Sequence, residues 1–241
     1  MTKRLIQVLT CALAFAACFT TLTLTASGQT LATGDSRTVS QPSNPATCQT
    51  VTAQFTQSQR SSPPSSDDTS RLQTALTACK NSGHAVVLAP NGSNNAFYSA
   101  ELSVIGEAII IDQGVVLYGN NSYSSQSELL NITGTNSGIY GPGAIDGRGD
   151  IITGTPRLVQ TNTANNFISY NITLEQAAHP NLYIQGGNGA TVWSTTIRTP
   201  ASRHNAEPNQ TRGCKHLRHC ERFHAHFWAS TPAQPLRLGD F

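Results

Sequence analysis

Charge is scarce in this chain: Asp, Glu, Lys and Arg make up 12% of its 241 residues. No Lys/Arg cluster with interleaved aromatics occurs in the body, so the electrostatic footprint of a nucleic-acid-binding protein is missing. No Cys-x-x-Cys pair is present, and the common zinc-finger and zinc-knuckle patterns go with it. No group of clustered aspartates marks a calcium site. The apolar run near the start is shorter than a membrane-spanning helix needs. After Gly83 no helical period of useful length appears. Ser, Thr, Asn and Gln fill the space that charge leaves. Such side chains suit stacked coils, where like residues form ladders across adjacent turns. They suit a disordered segment as well, so composition alone does not decide.

The first residues read as an address. Lys3 and Arg4 form a basic n-region, and Leu5 through Phe19 is apolar apart from interruptions such as Gln7 and Thr10. A cut near residues 26–28 predicts a signal peptide over residues 1–28 and a secreted or periplasmic protein, with no membrane insertion after cleavage. A membrane anchor and lipoprotein processing at Cys18 are the alternatives. Residues 29–66 are rich in Ser, Thr, Gln and Pro and read as a linker, in which Val51 and Phe55 belong to a first short strand. Export implies an oxidising compartment, so Cys48 and Cys79 are candidate disulfide partners; two unpaired buried thiols are the alternative.

The helix signal comes next. Ser66 or Asp67 is placed to cap it and Asp68 to favour its positive end. Leu72, Ala75, Leu76 and Cys79 share one face, and Gly83 ends the element. Asp67 and Asp68 are therefore read as cap residues rather than as a catalytic pair. Strand candidates follow at 85–88, 102–105, 108–111, 115–118, 138–145, 167–174, 182–185 and 191–197, broken by Gly, Asn and Pro. The spacing of the segments at 167–174 and 191–197 is that of a solenoid coil. A β-sandwich is the rival fold, but only Asn91-Gly92 supplies its kind of hairpin turn.

The glycine-rich run from Gly138 to Asp150 brackets Ala144-Ile145-Asp146 and is not followed by a helix, so the dinucleotide fingerprint fails on context. This run resembles the G-x-G-x-I-D-G-x-G stretch of the polygalacturonases, family 28 of the glycoside hydrolases. The resemblance extends over about residues 67–202. Asp67-Asp68-Thr69, Cys79 and Ala85-Val86-Val87-Leu88 resemble the family's opening cap. Pro156-Arg157-Leu158-Val159 resembles its R-P-x-L-I segment. Asn171-Ile172-Thr173-Leu174, Asn181-Leu182-Tyr183-Ile184, Thr191-Val192-Trp193 and Ile197-Arg198-Thr199-Pro200 resemble successive rungs. The resemblance implies an all-β, right-handed parallel β-helix with an N-terminal capping helix. It also implies cofactor-free hydrolysis of pectin, a polysaccharide partner, and no metal.

The family's Asn-Thr-Asp-Gly, Asp-Asp, Gly-His-Gly and Arg-Ile-Lys motifs, which carry its catalytic and substrate-gripping groups, do not follow Ser202. Residues 203–241 instead carry six Lys/Arg against three Asp/Glu, and five of the seven histidines. Residues 29–202 carry seven against ten. The abrupt change at Arg203 is what a reading-frame shift would produce, and it leaves the β-helix C-terminally truncated in family terms. Cys214, His216, His219, Cys220, His224 and His226 are dense enough to suggest zinc, but their spacing matches no common ligand pattern.

An inverting glycosidase needs a carboxylic acid and a carboxylate roughly 6.5–9.5 Å apart. Asp112, Asp146, Asp150 and Glu175 are the body acids outside the cap and loops. Asp146 is expected to accept turn N–H bonds. Glu175 and His179 are candidates to border a sugar groove, and Trp193 to pack on a sheet face or stack on a sugar. No catalytic residue is assigned. The expectation is a polygalacturonase-type chain that hydrolyses pectin negligibly. A non-catalytic remnant or carbohydrate-binding β-helix, and a pectate-lyase-like enzyme, are the alternatives.

Overall fold

The computed structural model describes residues 40–198 and two further short strands, Asn209–Arg212 and Phe223–Ala225. The predicted signal peptide and the Cys/His-rich tail lie outside the described residues. The chain divides into two compact units, residues 1–41 and 42–241. Of the first only Ser40 and Gln41 are described, and both are exposed. The described residues of the second form a parallel β-helix, all-β apart from one capping helix and two short 3-10 turns.

Strand β1 (Thr47–Thr52) and helix α1 (Thr69–Cys79) open the solenoid. Among the described residues five coils of three strands follow. They are β2 (Ala85–Ala89), β3 (Ala96–Ser99) and β4 (Leu102–Ile105); then β5 (Ala108–Ile111), β6 (Val116–Gly119) and β7 (Glu128–Thr133). The next two are β8 (Gly138–Tyr140), β9 (Ala144–Asp146) and β10 (Arg157–Asn162); then β11 (Phe167–Tyr170), β12 (Thr173–Glu175) and β13 (Leu182–Gln185). Strands β14 (Ala190–Trp193), β15 (Thr196–Arg198), β16 (Asn209–Arg212) and β17 (Phe223–Ala225) continue the pattern. All strand pairs are parallel and form three sheets. Sheet A runs β1-β2-β5-β8-β11-β14-β17, sheet B runs β3-β6-β9-β12-β15, and sheet C runs β4-β7-β10-β13-β16.

Register places like on like. Phe97, Leu117, Ile145, Leu174 and Ile197 stack inward from sheet B. Leu102, Leu130, Val159 and Leu182 stack inward from sheet C, with Val86, Ile109 and Ile139 from sheet A. Each fully buried aliphatic side chain contributes about 1.5–3 kcal/mol, but only once the next coil covers it. The polar step in the sheet A ladder is Ser169, whose hydroxyl bonds that of Thr195 at 2.9 Å inside the core.

Three expected strands are each two strands with a corner between them. The corners fall at Gly141 (φ 104), Asn171 (φ 53) and Ser194 (φ 51), single residues in the left-handed region. A Cβ at Gly141 would lie 2.2 Å from the Ile111 carbonyl oxygen of the coil below. One at Gly149 would lie 2.5 Å from Ala177 of the coil above. The glycine run is therefore required on steric grounds from both neighbouring coils.

The stretch read as linker is ordered from Thr47. Its β1 pairs in parallel with β2, and Val51, Ala53 and Phe55 alternate into the structure at period two. A disulfide joins Cys48 to Cys79, with Cα atoms 6.0 Å apart. Helix α1 begins one residue later than the expected cap. Asp68 is its N-cap without a side-chain cap bond, while Asp67 accepts the Thr69 N–H at 2.9 Å. The helix stops at Cys79, before Gly83, and Asn81 (φ 59) turns the chain away.

Removing the Cys48–Cys79 bond by reduction or by double Ser substitution should destabilise the fold by about 2–4 kcal/mol, since it frees the segment that covers the first coil. Denaturant unfolding of both forms measures this, and equal midpoints would show that the cap holds without it.

Glu107, 1% exposed, sits between β4 and β5 with Oε1 accepting the Ile105 N–H at 2.9 Å and Oε2 unpartnered. Burial pushes its carboxyl above the ordinary range, against the pull of backbone N–H groups and Lys80. A raised folded pKa means that its contribution is complete below the unfolded value, near 4.3, and is lost as pH rises through the folded value. Glu107→Gln should therefore gain stability relative to the parent as pH goes from about 4 to 8. Thermal melts across that range test this; a pH-independent difference between the two proteins would refute it.

Candidate functional site

The three sheets give three outer faces with different chemistry. On sheet B the outward ladder is Tyr98, Tyr118, Asp146, Glu175 and Arg198. Tyr98 and Tyr118 stack with centroids 5.1 Å apart, and Phe55 meets Tyr98 edge-on. Tyr98 donates its hydroxyl to Thr56 O at 3.1 Å, so the segment around the 3-10 turn Gln57–Gln59 lies over this face. Arg60, at the end of that turn, reaches Asp146 through Nε (2.6 Å) and Nη2 (3.2 Å), and Asp150 through Nη1 (3.0 Å) and Nη2 (2.6 Å).

Asp146 is 3% exposed and also accepts the Arg148 N–H at 2.7 Å, the i to i+2 bond expected of a turn carboxylate. Burial pushes its carboxyl up, and the Arg60 and Arg148 bonds pull it down. Asp150, closer to solvent, is held below the ordinary range by Arg60. Arg148 is itself buried, donating to Gly119 O at 3.1 Å and Asn121 Oδ1 at 3.3 Å; burial, then Arg60, lowers its pKa. Glu175 is engaged at 3.2 Å by the exposed Arg198. The two ladder acids are thus bound to arginines.

The outer side of sheet A is apolar. Ala85, Ala108, Ile110 and Tyr140 form a second buried cluster, with Val87, Ile168 and Tyr170 against it. Trp193 stands in register with Tyr170 and extends this ladder, half-buried. Asp112 lies at the corner between β5 and β6, where its carbonyl accepts the Val115 N–H at 3.1 Å.

Sheet C differs. Its outward ladder is Ser103, Asn131, Gln160 and Tyr183, one polar group per coil. Arg157, the first residue of β10, lies over the Tyr183 ring at 4.6 Å and donates from Nη1 to Gln160 Oε1 at 3.0 Å. Glu128 holds the equivalent position one coil earlier. Burial and Glu101 push the Glu128 carboxyl up, and Arg157 opposes them. Three buried polar atoms here have no protein partner among the described residues: Asn131 Oδ1, Arg157 Nε and Glu128 Oε2. Buried polar atoms are rarely left so. His179 is half-buried in the loop before β13, next to Pro180, whose carbonyl accepts the Leu158 N–H.

The structure thus separates the sequence candidates. Asp146 and Asp150 share one arginine, Glu175 belongs to sheet B, and His179 lies by the corner leading into sheet C. Arg60, Asn131, Glu128, Gln160 and Tyr183 were not picked out from sequence. The matching patterns Glu128-Leu-Leu-Asn131 and Arg157-Leu-Val-Gln160 were the available signal, because they place charged and amide groups at the same register in successive coils. Among the described residues no three His, Cys, Asp or Glu side chains converge to hold a metal, and no helix is long and apolar enough to cross a membrane.

No family model matches the chain. It is 34% identical over 213 residues to an endo-polygalacturonase of Pectobacterium parmentieri, covering 72% of this chain and 50% of the relative. It is 33% identical over the same length, with the same coverage, to the endo-polygalacturonase of Pectobacterium carotovorum subsp. carotovorum. The polygalacturonase structure from Erwinia carotovora ssp. carotovora superposes with a TM-score of 0.60 at 33% identity, over 73% of this chain and 54% of that one. A putative glycosyl hydrolase from Parabacteroides merdae, 17% identical with a TM-score of 0.52 over 61% of this chain and 73% of that one, shares the fold. The chain resembles polygalacturonases over a segment, and it spans about half the length of the curated relatives it matches.

Replacing Arg60 by Ala should destabilise the fold by about 3 kcal/mol, because it leaves Asp146 charged, buried and unpaired. Asp146→Asn in the same protein should restore part of that loss, since a neutral amide needs no cation. Denaturant unfolding of the single and double variants decides it. A loss below about 0.5 kcal/mol for Arg60→Ala would mean that the clasp does not hold the segment.

Proposed function

We propose that residues 67–202 form a β-helix of the polygalacturonase type, that its polymer is pectin, and that the polymer lies along the outer face of sheet C. The observation that carries this reading is the polar ladder Ser103–Asn131–Gln160–Tyr183 with its partnerless buried atoms. A saccharide presents a hydroxyl or carboxyl group at every ring, and a parallel coil presents a new side chain about every 4.8 Å. Sheet B is covered by the Arg60 segment over its first coils, and the sheet A ladder is apolar, so sheet C suits a hydrophilic polymer best. In this reading His179 borders the polymer, and Glu175, on sheet B, does not. No cofactor takes part. The predicted signal peptide over residues 1–28 supports a secreted or periplasmic protein, where such a polymer would be met.

The same reading assigns binding, not hydrolysis, to this chain. Hydrolysis with inversion needs a general acid and a general base across the glycosidic bond. Arg60 occupies Asp146 and Asp150, Arg198 occupies Glu175, and Arg71 occupies Asp68. Glu101 and Glu128 are near enough for their charges to interact, but Glu128 is only 3% exposed. The family motifs that supply acid, base and basic grip do not follow Ser202.

The full chain should bind polygalacturonate in affinity electrophoresis and release no reducing ends from it above the blank. Turnover within a few fold of a complete polygalacturonase would overturn the assignment. Loss of that turnover in Glu128→Gln would then identify the acid. Absence of binding would reject sheet C as the polymer face.

A further inference from the structure

The segment between β1 and α1 is anchored on both sides and untied in the middle. On one side Phe55 packs edge-on against Tyr98, Gln57 donates from Nε2 to Gly114 O at 2.7 Å, and Arg60 clasps Asp146 and Asp150. On the other, Asp67 accepts the Thr69 N–H at 2.9 Å and Asp68 is fully buried. Between these anchors run Ser61, Ser62, Pro63, Pro64, Ser65 and Ser66, and all four serines are exposed. From Pro63 to Ser66 no hydrogen bond ties the chain to the stack among the described residues. The other exposed loops differ. In the loop from Gly147 to Pro156, Arg148 and Ile152 are buried, and a Cβ at Gly154 would lie 1.9 Å from Ser124 O. The corner before β14 is tied to the coil below it: the Asn188 N–H donates to Asn165 Oδ1 at 2.9 Å, and Asn188 O accepts the Asn166 N–H at 2.7 Å.

We propose that residues 61–66 are a cleavage site for a broad-specificity serine endoprotease, and that the Cys48–Cys79 disulfide keeps the cut protein in one piece. An endoprotease takes its substrate as an extended strand several residues long, so it selects exposed chain that leaves its place at little cost. Small polar residues at the tip of a loop meet that requirement. Pro63 and Pro64 have no N–H to offer the protease and restrict the residues before them, so the bonds cut are Ser61–Ser62 and Ser65–Ser66. Water adds across one of these bonds. Its C–N bond breaks, leaving a carboxylate on the residue before the cut and an amine on the residue after it. Cys48 lies before the cut and Cys79 after it. The two pieces therefore stay joined, with β1 in register with β2 and α1 on the first coil. Arg60, just ahead of the tip, is a different case. Its guanidinium is held by two carboxylates, so an enzyme that must draw an arginine into a pocket reaches it only when the clasp opens. None of this depends on which face holds a polymer.

Brief digestion of the full chain with subtilisin, with the fragments mapped by mass spectrometry, tests the site. Among cuts within residues 40–198, those between 61 and 66 should come first and outpace the next by about tenfold or more. The piece that ends at the cut should stay with the rest on a non-reducing gel and part from it on a reducing one. A first cut elsewhere in residues 40–198, or pieces that part without reductant, would overturn the proposal. Trypsin probes the clasp. Its cut after Arg60 should be slow in the parent and about fivefold faster in Asp150→Asn, which removes one of the two carboxylates and leaves Asp146 paired. Far-UV circular dichroism checks that this variant keeps the parent fold, and equal tryptic rates would overturn the shielding of Arg60. The nicked protein should refold from denaturant with its disulfide intact and fail to refold once reduced, because β1 is then lost by dilution. Equal recovery of the two forms would show that the disulfide is not what retains the closing strand.

Discussion

A stack of parallel strands needs something at its end that behaves like one more strand. Every coil after the first finds its backbone partners in the coil below, and the first coil has none. Here each sheet is closed differently. On sheet A, β1 is a true strand in register with β2. On sheet B, Asp68 takes the part of a strand residue: its backbone N–H donates to Tyr98 O at 2.7 Å, and its carboxylate accepts the Tyr98 N–H at 3.0 Å. On sheet C, the Gln73 amide accepts the Ser103 N–H at 2.9 Å and donates to Ser103 O at 3.1 Å. A single helix with a strand ahead of it thus satisfies three edges at once. The disulfide and the Arg71–Asp68 pair hold that helix against the stack.

This closure accounts for an arrangement of charge that otherwise looks arbitrary. Asp68 is fully buried because it replaces a backbone group, and Arg71 follows it to neutralise the charge, reaching also to Thr52 O at 2.8 Å. The segment between β1 and α1 must then cross the outer side of sheet B to reach its position. Its route puts Phe55 and Thr56 against Tyr98, and Arg60 against Asp146 and Asp150. Acids that a sequence reader would offer as catalytic are thereby committed to holding the segment that closes the fold.

The fold was legible in the sequence to the extent that its signals were local. The helix face Leu72, Ala75, Leu76 and Cys79 is buried as its spacing implies, and 102–105, 108–111 and 182–185 are strands with those bounds. The corners were less visible. Inward apolar residues continue through 138–145 and 167–174, and one left-handed residue bends each into two strands without interrupting the pattern. Strand β1 was legible only in part: Val51 was read into a first short strand, but the start at Thr47 was not, because the other residues are Thr, Cys and Gln and their partners appear only when β2 is placed beside them. The candidate face was hidden for a related reason. Arg157, Gln160 and Tyr183 are separated in sequence and meet only when β10 and β13 stack in register.

Recognition and bond cleavage are separable in such a solenoid. A polymer that runs along the axis touches many coils, and each coil adds its own increment of affinity through its own outward side chains. Cleavage needs two acids at one place along that track, with geometry set to a fraction of an ångström. Coils that carry the track without the acids keep the first property and not the second. On sheet C the described coils offer a serine, an asparagine, a glutamine and an arginine stacked on a tyrosine, a set able to donate and accept hydrogen bonds and to hold an anion. The buried acid beside them, Glu128, stands in register with Arg157, and its burial and Glu101 push its carboxyl up while Arg157 opposes them.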